Sequence, residues 1–213
     1  MFARAYDLLM SDVDYEAIYT WLKPYLKENS TILDAGCGSG YLLLELIKNK
    51  HEAIGIDIDS SMLSLAYDKL FEASLSTSLY EHDLKEPLGV TVDVILSMFD
   101  VVNYFKGLKK VFKNMYDGLN AGGVFIFDAY KKEVLNDYAN YVEIEDDPIH
   151  YAWSIKTRNA QLIHTIKIND ETVQIKQYVH ELSYLLNLLE DVGFKVEVHE
   201  GIDSRKHYIV AYK

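Results

Sequence analysis

Asp34-Ala35-Gly36-Cys37-Gly38-Ser39-Gly40 follows a short apolar run, Thr31-Ile32-Leu33, and leads straight into Tyr41 to Lys48, a stretch that is apolar almost all round. A helix of that kind belongs against a sheet, so the order reads strand, glycine turn, helix. Glycines are needed where the backbone turns tightly and a ligand comes close, because a Cβ would stand in the way. Free N–H groups at the helix start favour a negative or polar group. A plain tight turn gives the same letters, so the context decides. The next apolar run, Ala53 to Ile56, ends at Asp57, where a carboxylate can accept hydrogen bonds from both hydroxyls of a ribose.

The alternation continues outward from this turn. Asp59 or Ser60 can cap a helix from Ser61 to Phe71. Two further strands end near His82-Asp83 and Ser97. Leu108, Val111, Phe112, Met115 and Leu119 then make one helical stripe, Asn120 to Gly123 turns the chain, and Val124 to Phe127 forms a fifth strand ending at Asp128. This order implies a doubly wound α/β fold, a parallel sheet covered on both faces. From Tyr141 to His180 the period changes to two, with turn signals at Arg158-Asn159-Ala160 and Asn169-Asp170, which predicts an inserted antiparallel β meander. A helix over Leu182 to Val192 and strands over 194–199 and 207–212 close the chain. At its start, Tyr15 to Leu26 has helical spacing interrupted by Pro24. The expected division is therefore 1–140 with 181–213 as one domain and 141–180 as an insertion, read as a lid over an acceptor site.

The nicotinamide fingerprint G-x-G-x-x-G would put its third glycine at position 41, which is Tyr41. The observed acidic-x-G-x-G-x-G spacing instead resembles the first motif of class I S-adenosylmethionine-dependent methyltransferases. Gly55-Ile56-Asp57-Ile58-Asp59-Ser60-Ser61-Met62-Leu63 is similar to the second motif of that family, His82-Asp83-Leu84 to the third, Asp93 to Phe99 to the fourth, and Leu119 to Gly123 to the turn before strand five. The resemblance implies a seven-stranded sheet in the order 3-2-1-4-5-7-6 with its last strand antiparallel. It also implies S-adenosyl-L-methionine as cofactor and S-adenosyl-L-homocysteine as product. Carried over position by position, the cofactor contacts are Asp34, Gly36, Cys37, Gly38, Gly40, Asp57, Ile58, Met62, Asp83, Leu84 and Met98. Phe2 to Leu9 with Asp14-Tyr15 resembles the entry helices of bacterial small-molecule methyltransferases, which adds Tyr6; both tyrosines would equally suit core-packing helix positions.

Composition narrows the acceptor. Among 213 residues, 49% are hydrophobic and 25% charged, the profile of a globular chain with enough length for a real core. A net charge of −12 repels polyanions on average, so nucleic acid and anionic membrane surfaces are disfavoured. No apolar run reaches the ~18 residues of a membrane span. The N-terminus lacks a signal-peptide pattern, so a cytoplasmic location is expected. A single cysteine, Cys37, excludes an intrachain disulfide and a multi-thiolate zinc cage, and nothing near it supplies a base. Ser97-Met98-Phe99-Asp100 lacks the prolines of the family members that methylate exocyclic amines of bases, and a lone Asp100 does not make a metal cluster, so no metal is expected. The reading is a methyltransferase for a small-molecule acceptor, working as a monomer or homodimer. The alternatives are an RNA- or protein-directed enzyme and a non-enzymatic cofactor-binding module. Phe99 and Asn103 are candidates for the methyl-transfer site, Asn103 being equally suited to cap the next helix, and His164 or His180 could act as a base. Tyr130, Tyr138, Tyr141, Tyr151 and Tyr178 would suit either an acceptor pocket or a half-exposed sheet face.

Overall fold

The computed structural model describes residues 2–213. Two short helices, α1 (Phe2–Leu9) and α2 (Tyr15–Leu22), lead in. Asp14 caps α2 by accepting from the Ala17 N–H at 2.8 Å, and Pro24 lies in the 3-10 turn that follows it. Then come β1 (Thr31–Ala35), α3 (Tyr41–Lys48), β2 (Glu52–Asp57), α4 (Ser60–Glu72), β3 (Leu79–Glu81), β4 (Val92–Ser97), α5 (Lys109–Asp117) and β5 (Leu119–Tyr130). A short helix, α6 (Val134–Asp137), precedes the strands β6 (Tyr141–Glu145), β7 (Tyr151–Arg158), β8 (Gln161–Ile168) and β9 (Glu171–Tyr178). The chain closes with α7 (Leu182–Val192), β10 (Lys195–His199) and β11 (Lys206–Tyr212).

Seven strands form one sheet in the order β3-β2-β1-β4-β5-β11-β10, and β11 is antiparallel to both its neighbours while β1 to β5 pair in parallel. Counting only these seven, the order is 3-2-1-4-5-7-6, as the family resemblance implies. The central strands alternate between two apolar layers. Leu33, Ile95, Phe125 and Phe127 pack with Phe112 of α5 and Leu185 of α7, whereas Ile32, Leu96, Ile126 and Val210 pack with Leu22 of α2 and Leu43 and Leu46 of α3. Each such side chain removed from water contributes about 1.5–3 kcal/mol before chain entropy is subtracted. No helix among the described residues is long and apolar enough to cross a membrane.

Two local expectations are corrected. Leu119 is the first residue of β5 and not the end of the α5 stripe, because Gly118 closes the helix. Residues 120–123 are an outward bulge inside β5 rather than a turn before it. Val92 pairs with Leu119 but Val94 with Val124, and the Asn120 amide holds the bulge by donating to Asp93 at 2.9 Å.

The strands β6, β7, β8 and β9 form a second, wholly antiparallel sheet. Tyr151, Ile166 and Ile168 of this sheet pack on Ala5, Tyr6 and Leu9 of α1, while Ile155 and Leu162 pack on Val134 of α6. From the other side α1 is fastened to the main domain: Lys69 of α4 pairs with Asp7 at 2.6 Å, and the Tyr41 hydroxyl donates to the Asp7 carbonyl at 3.3 Å.

Candidate active site

A cavity of about 560 Å³ opens at the carboxyl ends of β1, β2 and β4. The glycine loop forms its floor, and its three glycines have positive φ (+89°, +53° and +81°). They serve different ends. A Cβ on Gly36 would lie 2.8 Å from Val101, and one on Gly40 2.7 Å from Ala66, so these two let neighbouring elements close in. A Cβ on Gly38 would meet nothing within 4 Å; it would project into open cavity. The N–H groups of Tyr41, Leu42 and Leu43 at the start of α3 have no intrahelical acceptor, as expected, whereas most of the loop N–H groups before them are engaged. Gly36 and Cys37 both donate to the Ile56 carbonyl, Gly40 to the Cys37 carbonyl, and Gly38 to the Asp57 carboxylate at 2.8 Å. The loop therefore offers room, and Asp57 adds polarity beside it, accepting also from the Asp59 N–H at 2.9 Å.

Every residue expected at the cofactor lines this cavity: Tyr6, Asp34, Gly36, Cys37, Gly38, Gly40, Asp57, Ile58, Met62, Asp83, Leu84 and Met98. Asp34 is buried, and its Oδ2 has no hydrogen-bond partner among the described residues. Burial, with Asp57 adding to it, pushes its carboxyl up to about 7. Cys37 packs beneath Gly55, and burial followed by Asp34 and Asp57 raises its thiol well above the ordinary range, which suits an inert filler. The entry helices supply the roof, where Tyr6 was expected but the contacts made by Tyr15 and by β9 were not. Tyr15 stacks on Tyr41 at 4.8 Å and tilts against Phe99 at 5.3 Å, and Val173 and Ile175 of β9 reach the same space.

A second chamber of about 530 Å³ adjoins the first, and both are lined by Tyr6, Met10, Phe99, Tyr104 and Ile175. Phe99 and Asp100 adopt left-handed backbone (φ +63° and +54°), unusual for residues with side chains. The reason lies on β5: the Asp128 carboxylate accepts both of their N–H groups, the Phe99 bond being 2.9 Å. Lys206 on β11 secures the pair of carboxylates, 2.6 Å from Asp100 and 3.4 Å from Asp128. Burial opposes its charge, yet Asp100 and Asp128 outweigh that and raise its pKa, so the ammonium persists. Gln177 on β9 donates to the other oxygen of Asp100 and ties the second sheet to this turn. The Tyr6 hydroxyl, bonded to Tyr104, is raised to about 12 by burial and Asp100, and stays protonated.

Phe99 faces both chambers, but Asn103 lines neither. It is fully buried, its amide donates to the Tyr178 carbonyl at 2.7 Å, and its oxygen accepts from the Tyr130 N–H at 3.1 Å. It caps no helix and lies away from both chambers, clasping the two necks through which the second sheet leaves and rejoins the core. His164 lines the second chamber; His180 lies outside both, with Nε2 2.9 Å from the Phe105 carbonyl. Of the five tyrosines weighed for an acceptor pocket, only Tyr130 lines it, whereas Tyr141 and Tyr151 share Glu143. Trp153, Asp128, Gln177, Arg205 and Lys206 were not foreseen, although the carboxylate ending an apolar strand at Asp128 was a readable signal.

A family model described as a methyltransferase domain matches residues 32–123. YqeM of Bacillus subtilis (strain 168), provisionally named a methyltransferase, is 31% identical over 161 residues, covering 71% of this chain and 64% of YqeM. The chain thus spans just under two thirds of that relative. The carboxy-S-adenosyl-L-methionine synthase of Nautilia profundicola is 31% identical over 178 residues, covering 82% of this chain and 73% of its own. Among solved structures, an S-adenosylmethionine-dependent methyltransferase from Clostridium acetobutylicum superposes with a TM-score of 0.81 at 22% identity over 99% of this chain and 97% of that one. The sugar N-methyltransferase KedS8 from Streptoalloteichus superposes with a TM-score of 0.80 at 17% identity, covering 98% and 92%. With the strand order, the glycine loop and the acidic residue ending β2, these likenesses establish that the chain belongs to the class I, seven-stranded S-adenosylmethionine-dependent methyltransferases.

Proposed function

We propose that this protein binds S-adenosylmethionine in the first chamber and methylates a small molecule held in the second. The observation that carries this reading is the common wall: two adjoining spaces meet at Tyr6, Phe99 and Tyr104, one bounded by the glycine loop and the other by the second sheet. The residues of the first chamber fit the cofactor. Asp34 offers an unpartnered buried carboxylate oxygen to a cationic ligand, Asp57 offers acceptors for ribose hydroxyls, and Gly38 leaves open the space a Cβ would fill. Ile58, 65% exposed at the rim, presents the apolar face that a flat base would cover, with Asp83 beyond it as acceptor for an exocyclic amine. A volume near 560 Å³ lies within the ~300–1,000 Å³ usual for cofactor sites.

When bound, the cofactor supplies a sulfonium methyl that a nitrogen, oxygen or carbon nucleophile can displace, leaving S-adenosylhomocysteine. The chain's own task is alignment and exclusion of water. Tyr6, Phe99 and Tyr104 form the boundary across which donor and acceptor meet, and Asp128 with Lys206 holds Phe99 in its left-handed turn. Holding two reactants in line supplies ~7–11 kcal/mol in favourable cases. Asp100 and Asp128 are engaged by Lys206, Gln177 and backbone N–H groups, so neither stands as an unencumbered base. The enclosure of about 530 Å³ suits a small acceptor better than a macromolecule, and the sugar acceptor in the name of KedS8 points the same way. The second sheet, 141–180 in the proposed division, acts as the acceptor-side cover, through Trp153, His164, Ile175 and Gln177.

The test is transfer of tritiated methyl from S-adenosylmethionine into three pools: a metabolite extract, RNA and a protein lysate. Label in the metabolite pool supports the reading. Label only in RNA or protein, or cofactor binding without transfer to any pool, overturns it. Because one relative is named for making a carboxylated form of the cofactor, the cofactor itself is followed by mass spectrometry in the same reactions.

A further inference from the structure

His164 stands on β8 with 5% of its surface exposed, on the face of the second sheet that looks into the second chamber. Across the strand pair, the Trp153 indole lies 3.1 Å from its Nδ1. An indole nitrogen can only donate, so Nδ1 is the acceptor in that bond. A neutral imidazole that accepts at Nδ1 carries its hydrogen on Nε2. Protonating Nδ1 would set two donors against each other, so the same contact that fixes the tautomer also resists the imidazolium. Burial acts in the same direction, holding the ring's pKa below the ordinary histidine value against the pull of Asp100 and Gln177.

The remaining hydrogen is unsatisfied: Nε2 is buried and makes no hydrogen bond of normal geometry among the described residues, and Gln177, which also faces the ring, is already drawn to Asp100. A buried donor left unsatisfied carries the cost of its lost hydration, so a group that accepts its hydrogen recovers that free energy on binding. The rest of the lining says which group. Asp100, Asp128 and Asp203 face Lys206 and Arg205, an excess of negative charge that disfavours a carboxylate or phosphate ligand. Aromatic side chains, Tyr6, Phe99, Tyr104, Tyr130 and Trp153, supply flat walls that pack on a ring.

We infer that His164 is the hydrogen-bond donor that orients the methyl acceptor, presenting its Nε2–H to a hydroxyl or carbonyl oxygen of an uncharged ring compound, and that it is a positioning residue and not the general base. The inference rests on the reading of the second chamber as the acceptor site. It assigns the substrate class to neutral, oxygen-bearing rings and gives the Trp153–His164 pair a role in selecting them.

Long-range proton–nitrogen correlation on the full ¹⁵N-labelled chain at pH 7 reports the tautomer directly, with His164→Gln identifying the signals. A bare Nδ1 and protonated Nε2 are expected; an imidazolium or an Nδ1–H form overturns the inference. The same spectrum is then followed, with S-adenosylhomocysteine present, against a panel of monosaccharides and phenols and their carboxylated counterparts. At least one uncharged compound should shift the His164 Nε2–H signal while the carboxylated compounds leave it in place. Silence from the whole panel, or a response only to carboxylates, overturns the assignment. Calorimetry of S-adenosylhomocysteine separates the two readings: if it binds and the panel is silent, the His164 inference alone fails, and if it does not bind, the cofactor reading falls and this inference with it. With any acceptor found, His164→Ala should lower kcat/KM about tenfold or more, whereas His164→Gln, which keeps an N–H donor, should stay within about threefold and keep the acid limb of the pH profile. Equal loss in both variants, with the acid limb gone, would mean a base.

Discussion

In the first chamber most lining residues come from four short stretches, 34–42, 57–62, 82–85 and 98–105, each at the carboxyl end of a strand or just beyond it. In the second they are gathered from α1, the end of β5, three strands of the inserted sheet, and the loop leading into β11, from Tyr6 to Tyr208. Their electrostatics differ as well. Among the described residues, the first holds a buried carboxylate oxygen without a partner, at Asp34, while in the second Asp100 and Asp128 are joined by Lys206 and the unpartnered atom is a ring nitrogen, at His164. One chamber is thus shaped to receive positive charge and the other to offer a neutral donor. On the proposed reading, the cofactor is met by local backbone geometry and the acceptor by parts drawn from distant segments of the chain.

The largest effect should come from Gly38→Val. Its side chain would enter the cavity from a left-handed backbone position, and cofactor binding measured by calorimetry should be lost in a protein that still unfolds cooperatively. Retained tight binding would mean the loop is only a turn. Asp57→Ala comes next, with affinity for S-adenosylmethionine weakened by ~1.5–3 kcal/mol, the worth of hydrogen bonds to a charged group. Unchanged affinity in a folded variant would remove the ribose assignment.

Asp34 should give a smaller and pH-dependent effect. Its folded pKa of about 7 exceeds the ordinary 3.8, so between those values the folded chain keeps a proton that the unfolded chain has released. Its contribution to stability therefore falls as pH rises from 3.8 to about 7 and is level above that window. A cationic ligand favours the ionised form, so cofactor affinity should climb by up to about tenfold per pH unit below 7 and then flatten. Asp34→Asn should abolish the climb and leave the apo-protein more stable above pH 7 than the parent. A parallel slope in both proteins would show that the proton belongs elsewhere.

Asn103→Ala sharpens the contrast from the other side. Losing bonds to the Tyr178 carbonyl and the Tyr130 N–H inside the core should cost about 1–3 kcal/mol of stability in denaturant melts. Cofactor affinity should stay within about twofold, because Asn103 lines neither chamber. A large affinity loss would show that the necks of the inserted sheet are coupled to the glycine loop.

The strand–turn–helix rhythm, the glycine loop and Asp57 were legible in the letters because each expresses a constraint carried by neighbouring residues: a period of burial, a backbone angle, a strand that ends in a carboxylate. The start of the inserted sheet at Tyr141 was legible for the same reason, as a change of period. The 120–123 bulge was misread because it depends on a cross-strand bond to Asp93, and the engagement of the Gly36, Cys37 and Gly38 N–H groups was not legible because the Ile56 carbonyl and Asp57 that receive them lie on another strand. The second chamber was legible only in part: Phe99, Tyr130 and His164 stood among the candidates, but the contacts that assemble it did not. No local pattern announces that Lys206 meets Asp100 across 106 positions, that Asn103 binds both Tyr130 and Tyr178, or that Trp153 fixes the hydrogen of His164. Sequence alone determined the strand–helix alternation, through short-range periodicity and turn geometry, and the resemblance of its motifs to a family supplied the sheet order and the residues that line the first chamber. How the residues of the second chamber are joined was decided only by tertiary structure, because hydrogen bonds and charges act through space between chain segments whose meeting depends on the packed fold.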